Sequence, residues 1–369
     1  MPSTDLLKEA ERLMVICNAC RYCEGHCAVF PAMEMRLTFP AEDLRYLANL
    51  CHGCGSCFHH CQYAPPHPFE VNVPRVFDAL RRETYARYAW PRFLAPMFQR
   101  NGLATAVVTA ASCVIFTVAG TVLVGPEALR RHLGPGAFYK IVPHWAMVLL
   151  FGVSFAYALL ALAAAVQAFW RDCGVPGRHL PASVHNRATR DSMTLRYLDG
   201  GGDGCTYPNE QPSMSRRRWH HFTFYGFLLC FAATCVAAVY DWLGHPAPYP
   251  WWSAPVALGT AGGVGLVIGT VGLLAIKAES DRAPYPRTGM DVSFLILLLL
   301  TSVTGFLVLF FRTTAAMGML LLIHLGVVMG LFLTMPYGKF VHGFFRYAAL
   351  ARYALERPKS SEQAPSEEV

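Results

Sequence analysis

Two stretches, Cys17-Asn-Ala-Cys20-Arg-Tyr-Cys23-Glu-Gly-His-Cys27 and Cys51-His-Gly-Cys54-Gly-Ser-Cys57-Phe-His-His-Cys61, decide how the chain is read. Both have the form C-x2-C-x2-C-x3-C. That spacing suits a 4Fe–4S cluster, because a cube of iron and sulfur offers several iron corners that one tight turn can reach with three thiolates. In two-cluster bacterial ferredoxins the fourth cysteine of each run ligates the other cluster. The expectation is that Cys17, Cys20 and Cys23 share one cluster with Cys61, and that Cys51, Cys54 and Cys57 share the other with Cys27. Structural zinc is the competing reading, but it takes two close pairs across a longer spacer, and a third cysteine two residues on is redundant for one tetrahedral ion. Disulfides are disfavoured by the reducing compartment argued below. Ala28 and Gln62 stand where the ferredoxin pattern has proline, so the fold around the clusters departs from the small β-rich ferredoxin pattern. His26, His52, His59, His60 and His67 read as polar residues of a small domain, with hydrogen bonding to a cluster as the functional alternative.

The remaining composition is that of a membrane protein. Of 369 residues, 54% are hydrophobic and only 15% charged. The net charge of +7 does not point to nucleic acid, because the arginines collect in loops beside apolar runs. The start, MPSTDLLKEAERLM, lacks the apolar core of a signal peptide, and residues 1–16 read as a short amphipathic helix. Pro40-Ala-Glu-Asp-Leu-Arg-Tyr-Leu-Ala-Asn reads as another helix. Residues 74–102, with Arg75, Arg81, Arg82, Arg87, Arg92 and Arg100 among Phe, Tyr and Trp, read as an amphipathic linker lying at the lipid interface.

Six apolar runs follow, at about 103–125, 141–168, 219–240, 254–276, 292–311 and 315–336, each near the ~20 residues that span hydrocarbon. The loop 169–218 carries Arg171, Arg178, Arg187, Arg190, Arg196, Arg216, Arg217 and Arg218. Lys277, Arg282 and Arg287 follow the fourth run, and Lys339, Arg346, Arg352, Arg357 and Lys359 the sixth. Trp242 to Ser253 has no Lys or Arg, so the positive-inside rule puts both termini and the arrays in the cytoplasm, against the minority signal of Arg130, Arg131, Lys140 and Arg312. The expected fold class is mainly α: a helical ferredoxin-like domain with two 4Fe–4S clusters (1–73), the linker (74–102), a six-helix transmembrane bundle (103–343) and a cytoplasmic tail (344–369). Gly259, Gly263, Gly265 and Gly269 suit close helix packing in the fourth run, and Gly200 to Cys205 lacks the form of a dinucleotide loop. Cys113, Cys230 and Cys235 read as small apolar residues of the spans, while Cys173 and Cys205 fall in the long loop without a partner motif.

Histidines in spans are functional candidates by default. His220 or His221 and His342 lie at one depth and could clamp an inner haem b. His324 lies 18 residues before His342, about 27 Å along a helix, so a second, outer haem would pair it with His144. A transporter is the reading from another class, and the absence of Asp, Glu and Lys inside the runs argues against it. A redox-responsive regulator would need neither haem nor a quinone.

The arrays CNACRYCEGHC and CHGCGSCFHHC, the stretch ATRDSMTLRYLDGGGDGCTYPNE and the span opening RRRWHHFTFYGFLLCFAAT together resemble the tricarballylate-utilisation protein B, or citrate-utilisation CitB, family. The sixth run with His324, and MPYGKFVHGF with His342, is similar to the haem-bearing subunit of respiratory nitrate reductases, in which two histidines 18 apart on one helix serve two haems. There the opposite ligands come from a single other helix, a feature that His144 and His220 do not reproduce. The resemblance implies a partner FAD-dependent tricarballylate dehydrogenase, reoxidised through the clusters and haem into the quinone pool of a bacterial cytoplasmic membrane. No flavin motif occurs in this chain. Another respiratory subunit, of heterodisulfide- or sulfite-reductase type, is the alternative of the same class.

Overall fold

The structure is a computed structural model that describes residues 3–130, 134, 136–174, 180–280 and 289–357. Arg131, Arg178, Arg282, Arg287, Lys359 and the expected tail beyond 357 lie outside the described residues.

Five helices build the head: α1 (Ser3–Cys20), α2 (Val29–Glu34), α3 (Ala41–Leu50), α4 (Ser56–His59) and α5 (Val73–Tyr88). Helix α1 buries Leu6, Ala10, Leu13 and Met14 along one stripe and carries Cys17 and Cys20 in its last turn. Helix α3 starts after Pro40 with Glu42 and Asp43 in its first turn, where carboxylates suit the helix dipole, and ends one residue before Cys51. The Asn72 carboxamide caps α5 by accepting from the Arg75 amide at 3.1 Å. Helix α5 departs from the interfacial reading. Phe77, Leu80 and Tyr85 are buried in the head core, and Arg81 is 7% exposed, so only the stretch after Tyr88, with exposed Trp90 and Phe93, keeps an interfacial pattern.

Six helices are long and apolar enough to cross a membrane. After α6 (Asn101–Val124) come two short helices, α7 (Pro126–Leu129) and α8 (Ala137–Ile141), and then α9 (His144–Asp172). Helix α10 (Ala182–Met193) lies in the long loop, and α11 (Ser215–Trp242), α12 (Ala254–Glu279), α13 (Gly289–Phe311) and α14 (Met317–Thr334) follow. Among the described residues there is no strand, only an isolated bridge between Cys205 and Ser213. Side chains such as Val122, Leu123, Leu160 and Trp252 stand exposed around the bundle, a surface that suits lipid rather than water. Helices α11 and α12 meet at Gly265 and Gly269, two of the expected small residues: a Cβ on Gly269 would lie 2.5 Å from the Thr223 amide nitrogen, and Gly262, outside the expected set, packs as closely against Cys230.

The apolar helix of the sixth span ends at Thr334, near the expected 336. A 3-10 turn at Met335–Tyr337 bends it into α15 (Val341–Glu356), and the two together cover 40 residues. Residues 344–356, expected as the start of a tail, instead complete the head: Phe345, Ala348 and Leu350 share one core with Phe30, Tyr46 and Phe77. Their charges find partners far away in sequence. Arg36 reaches Glu356 at 2.8 Å and Arg352 reaches Asp43 at 2.5 Å, with both guanidiniums over the buried Tyr46 ring. Helix α15 and the head therefore meet on the same side of the bundle.

Candidate functional site

The end of α1 and the turn after it bring Cys17, Cys20 and Cys23 to one cavity of about 280 Å³, and the turn after α4 delivers Cys61 to the same wall. Cys27, Cys51 and Cys54 line a second, much tighter space of about 10 Å³, and Cys57 borders both. All eight cysteines are free of disulfides. Among the described residues no three Cys, His, Asp or Glu side chains converge as ligands of a single ion. An iron–sulfur cube takes its thiolates at separate corners, so its ligands stand further apart than those of one tetrahedral ion. Five thiols line the first space and four the second, counting Cys57 in both, with no carboxylate in either lining, a donor set that fits such a cube. Electrostatics follow the same grouping. Burial, then Cys23, Cys61 and Cys20, push the Cys17 thiol up to about 12. Burial, then Cys54, Cys51 and Cys27, raise Cys57.

The long loop closes over the second array, which local sequence did not announce. Gly201 sits where a Cβ would be 2.8 Å from the Gly25 carbonyl, beside the first array, and Gly204 holds φ +113° with its Cβ position 2.7 Å from the Ser213 nitrogen. This turn places Cys205, wholly buried, against Cys54. A hydrogen bond from Cys205 pulls the Cys54 thiol down to about 6 and holds Cys205 above its ordinary value. Tyr207 lies under the Arg216 guanidinium at 4.5 Å, and Arg216 donates to the Gly53 carbonyl. The signal for this lid was present in the run of glycines, but its target lies about 150 residues earlier, as in Ser56 to Gly204 (separation 148).

Behind the second array stand the membrane histidines. His220 on α11 faces His342 on α15 with ring centroids 6.0 Å apart and planes at 74°. The His342 Nδ1 lies 2.5 Å from the Lys339 carbonyl, and donation there leaves Nε2 with a lone pair, the arrangement of metal-bound imidazoles. The His220 Nδ1 is buried without a partner among the described residues, and two facing imidazoles are a donor set that a b-type haem could take. His221 turns to the Tyr225 ring at 5.7 Å. Farther from the head, His144 bonds Asp241 at 2.8 Å and His324 bonds Thr304 at 2.9 Å, each with its own polar partner. His52, next to Cys51, is 5% exposed, with its Nδ1 on the Leu50 carbonyl at 2.9 Å. Burial, then the Arg346 charge, hold the His52 imidazole well below its ordinary value.

The span helices also reach further inward than their apolar runs. Lys277, Asp291 and Lys339 form a half-buried triad there, with Asp291 2.9 Å from Lys277 and 2.6 Å from Lys339.

Fold and site together define a multi-pass membrane protein with a cysteine-rich, ferredoxin-like head, built for electron transfer. Residues 99–363 match the family described as Citrate utilization protein B, and residues 10–87 match its Fer4-like domain. A curated relative, Citrate utilization protein B of Escherichia coli, is 48% identical over 358 residues, covering 96% of this chain and 93% of the relative. The chain belongs to the Citrate utilization protein B family. No solved structure matches it.

Proposed function

We propose that the chain accepts electrons from the reduced FAD of a partner dehydrogenase acting on tricarballylate or a related citrate-like acid, and delivers them to quinone in the membrane. Two 4Fe–4S clusters and one haem b, when bound, supply one-electron chemistry without bond making. Cys17, Cys20, Cys23 and Cys61 would hold the first cluster, Cys27, Cys51, Cys54 and Cys57 the second, and His220 with His342 the haem. The observation that carries this reading is continuity between head and bundle. Arg346 donates to the Cys51 carbonyl at 3.0 Å from a position one helical turn beyond His342, which itself faces His220. The Lys339 carbonyl fixes the His342 tautomer, and the lid of Gly200 to Cys205 keeps water from the second array. Arginines clustered on the head side favour placing the head in the cytoplasm of a bacterium, where a soluble flavoprotein can reach it. His144 and His324 each bond a partner through Nδ1, as His342 does, but among the described residues their rings make no contact with each other, unlike those of His220 and His342, which favours a single, inner haem.

Optical spectra of the purified protein, oxidised and reduced, test the membrane half. The wild type should show the Soret and α bands of haem b, and His342→Ala and His220→Ala should each lose them. Full haem content in both variants would overturn the ligand assignment.

A further inference from the structure

We propose that Arg81, Arg216 and Arg346 raise the reduction potential of the second array's cluster above that of the first, so that electrons arrive at the first and collect at the second, beside the membrane. The proposal rests on the electron-transfer reading above and adds a direction to it.

Three guanidiniums from three separate elements converge on one short loop. Arg81 of α5 donates to the Cys51 carbonyl at 2.6 Å, Arg346 of α15 to the same oxygen at 3.0 Å, and Arg216 of α11 to the Gly53 carbonyl. Arg81 shares its charge with Asp78 at 3.1 Å. Among the described residues Arg346 has no carboxylate partner and its Nε has no hydrogen-bond partner. A four-thiolate cube is anionic and gains a further negative charge on reduction, so fixed cations and hydrogen bonds near its ligands stabilise the reduced form. Cys205 adds a donor to Cys54 itself.

Around the first array the surroundings are different. Its cavity, lined by Tyr22, His60, Gln62 and Tyr63, borders the surface at the 69% exposed Tyr22. The first array has a guanidinium of its own, Arg21 on the Asn18 carbonyl at 3.1 Å, but that side chain is exposed, so water and salt screen its charge. Burial alone would work against the second cluster, since desolvation disfavours the more highly charged, reduced form. The arginines offset that penalty where the enclosure is tightest. Each transfer moves one electron, oxidising the first cluster and reducing the second, with no bond or proton exchanged.

The test is an EPR-monitored redox titration of the full-length protein, comparing wild type with Arg346→Gln, Arg346→Lys, Arg216→Gln, Cys205→Ala and Arg21→Gln. Two cluster midpoints are expected in the wild type. Arg346→Gln and Arg216→Gln should lower the higher one, the same one that Cys205→Ala lowers, while Arg346→Lys restores it and Arg21→Gln moves neither. Unmoved midpoints, equal shifts of both, or a shift of the lower one alone would overturn the proposal. Should Arg346→Gln fail to fold, Arg216→Gln and Cys205→Ala decide it by the same criterion. Absence of any cluster signal in the wild type would instead remove the reading beneath it.

Discussion

Cys205 shows what single residues revealed and concealed. In sequence it is one cysteine in a glycine-rich loop, whereas the array cysteines announce themselves by regular spacing; its partner, Cys54, is a long-range neighbour that no local pattern encodes. The fold depends on Gly204 to seat it, because φ +113° is open to few other residues. Gly204→Ala should strain the turn by about 1–3 kcal/mol and uncover Cys205. Thiol labelling of the folded protein should then rise at Cys205; protection equal to wild type would contradict the lid. The array thiols make a second prediction. In the iron-free head Cys17 and Cys23 are held up to about 12 from an ordinary 9.0, chiefly by burial. The fold thus favours neutral thiols, so that contribution to stability is complete below pH 9.0 and is lost as pH rises toward about 12. Thermal unfolding of the iron-free protein should fall across that window, and a flat profile would contradict it.

At the scale of elements, the six spans were legible because an apolar helix of membrane length has little place in a fold surrounded by water. Helices α5 and α15 were not. The arginines of α5 among aromatic residues read as an interface and most of α15 read as a cytoplasmic tail, and only the three-dimensional partners of Arg81, Arg346 and Arg352 show that these charges are satisfied inside the protein. Truncation after Phe340 tests the point: removing α15 takes Phe345, Ala348 and Leu350 from the head core, so iron should be lost from the head along with haem from the bundle. Retention of full cluster content would make α15 a dispensable tail. The Lys277, Asp291 and Lys339 triad joins the ends of α12 and α13 to the link between α14 and α15. Asp291→Asn leaves two lysines without their shared carboxylate and should destabilise the fold by about 3–5 kcal/mol, read as a lower Tm. An unchanged Tm would show that the triad contributes nothing.

The whole molecule is polarised, with the head, α15 and most of the arginines at one end of the bundle and Trp251 and Trp252 in the loop joining α11 to α12. If the head faces the cytoplasm, an impermeant maleimide applied to intact cells should label Trp252→Cys and spare Asn209→Cys; the opposite pattern would invert the topology. The molecule's central claim is that its head carries iron and sulfide. Chemical analysis of anaerobically purified protein measures this directly. The expected result is about eight irons and eight acid-labile sulfides per chain beyond the haem iron. Protein that retains zinc in their place, with no labile sulfide, would contradict the account.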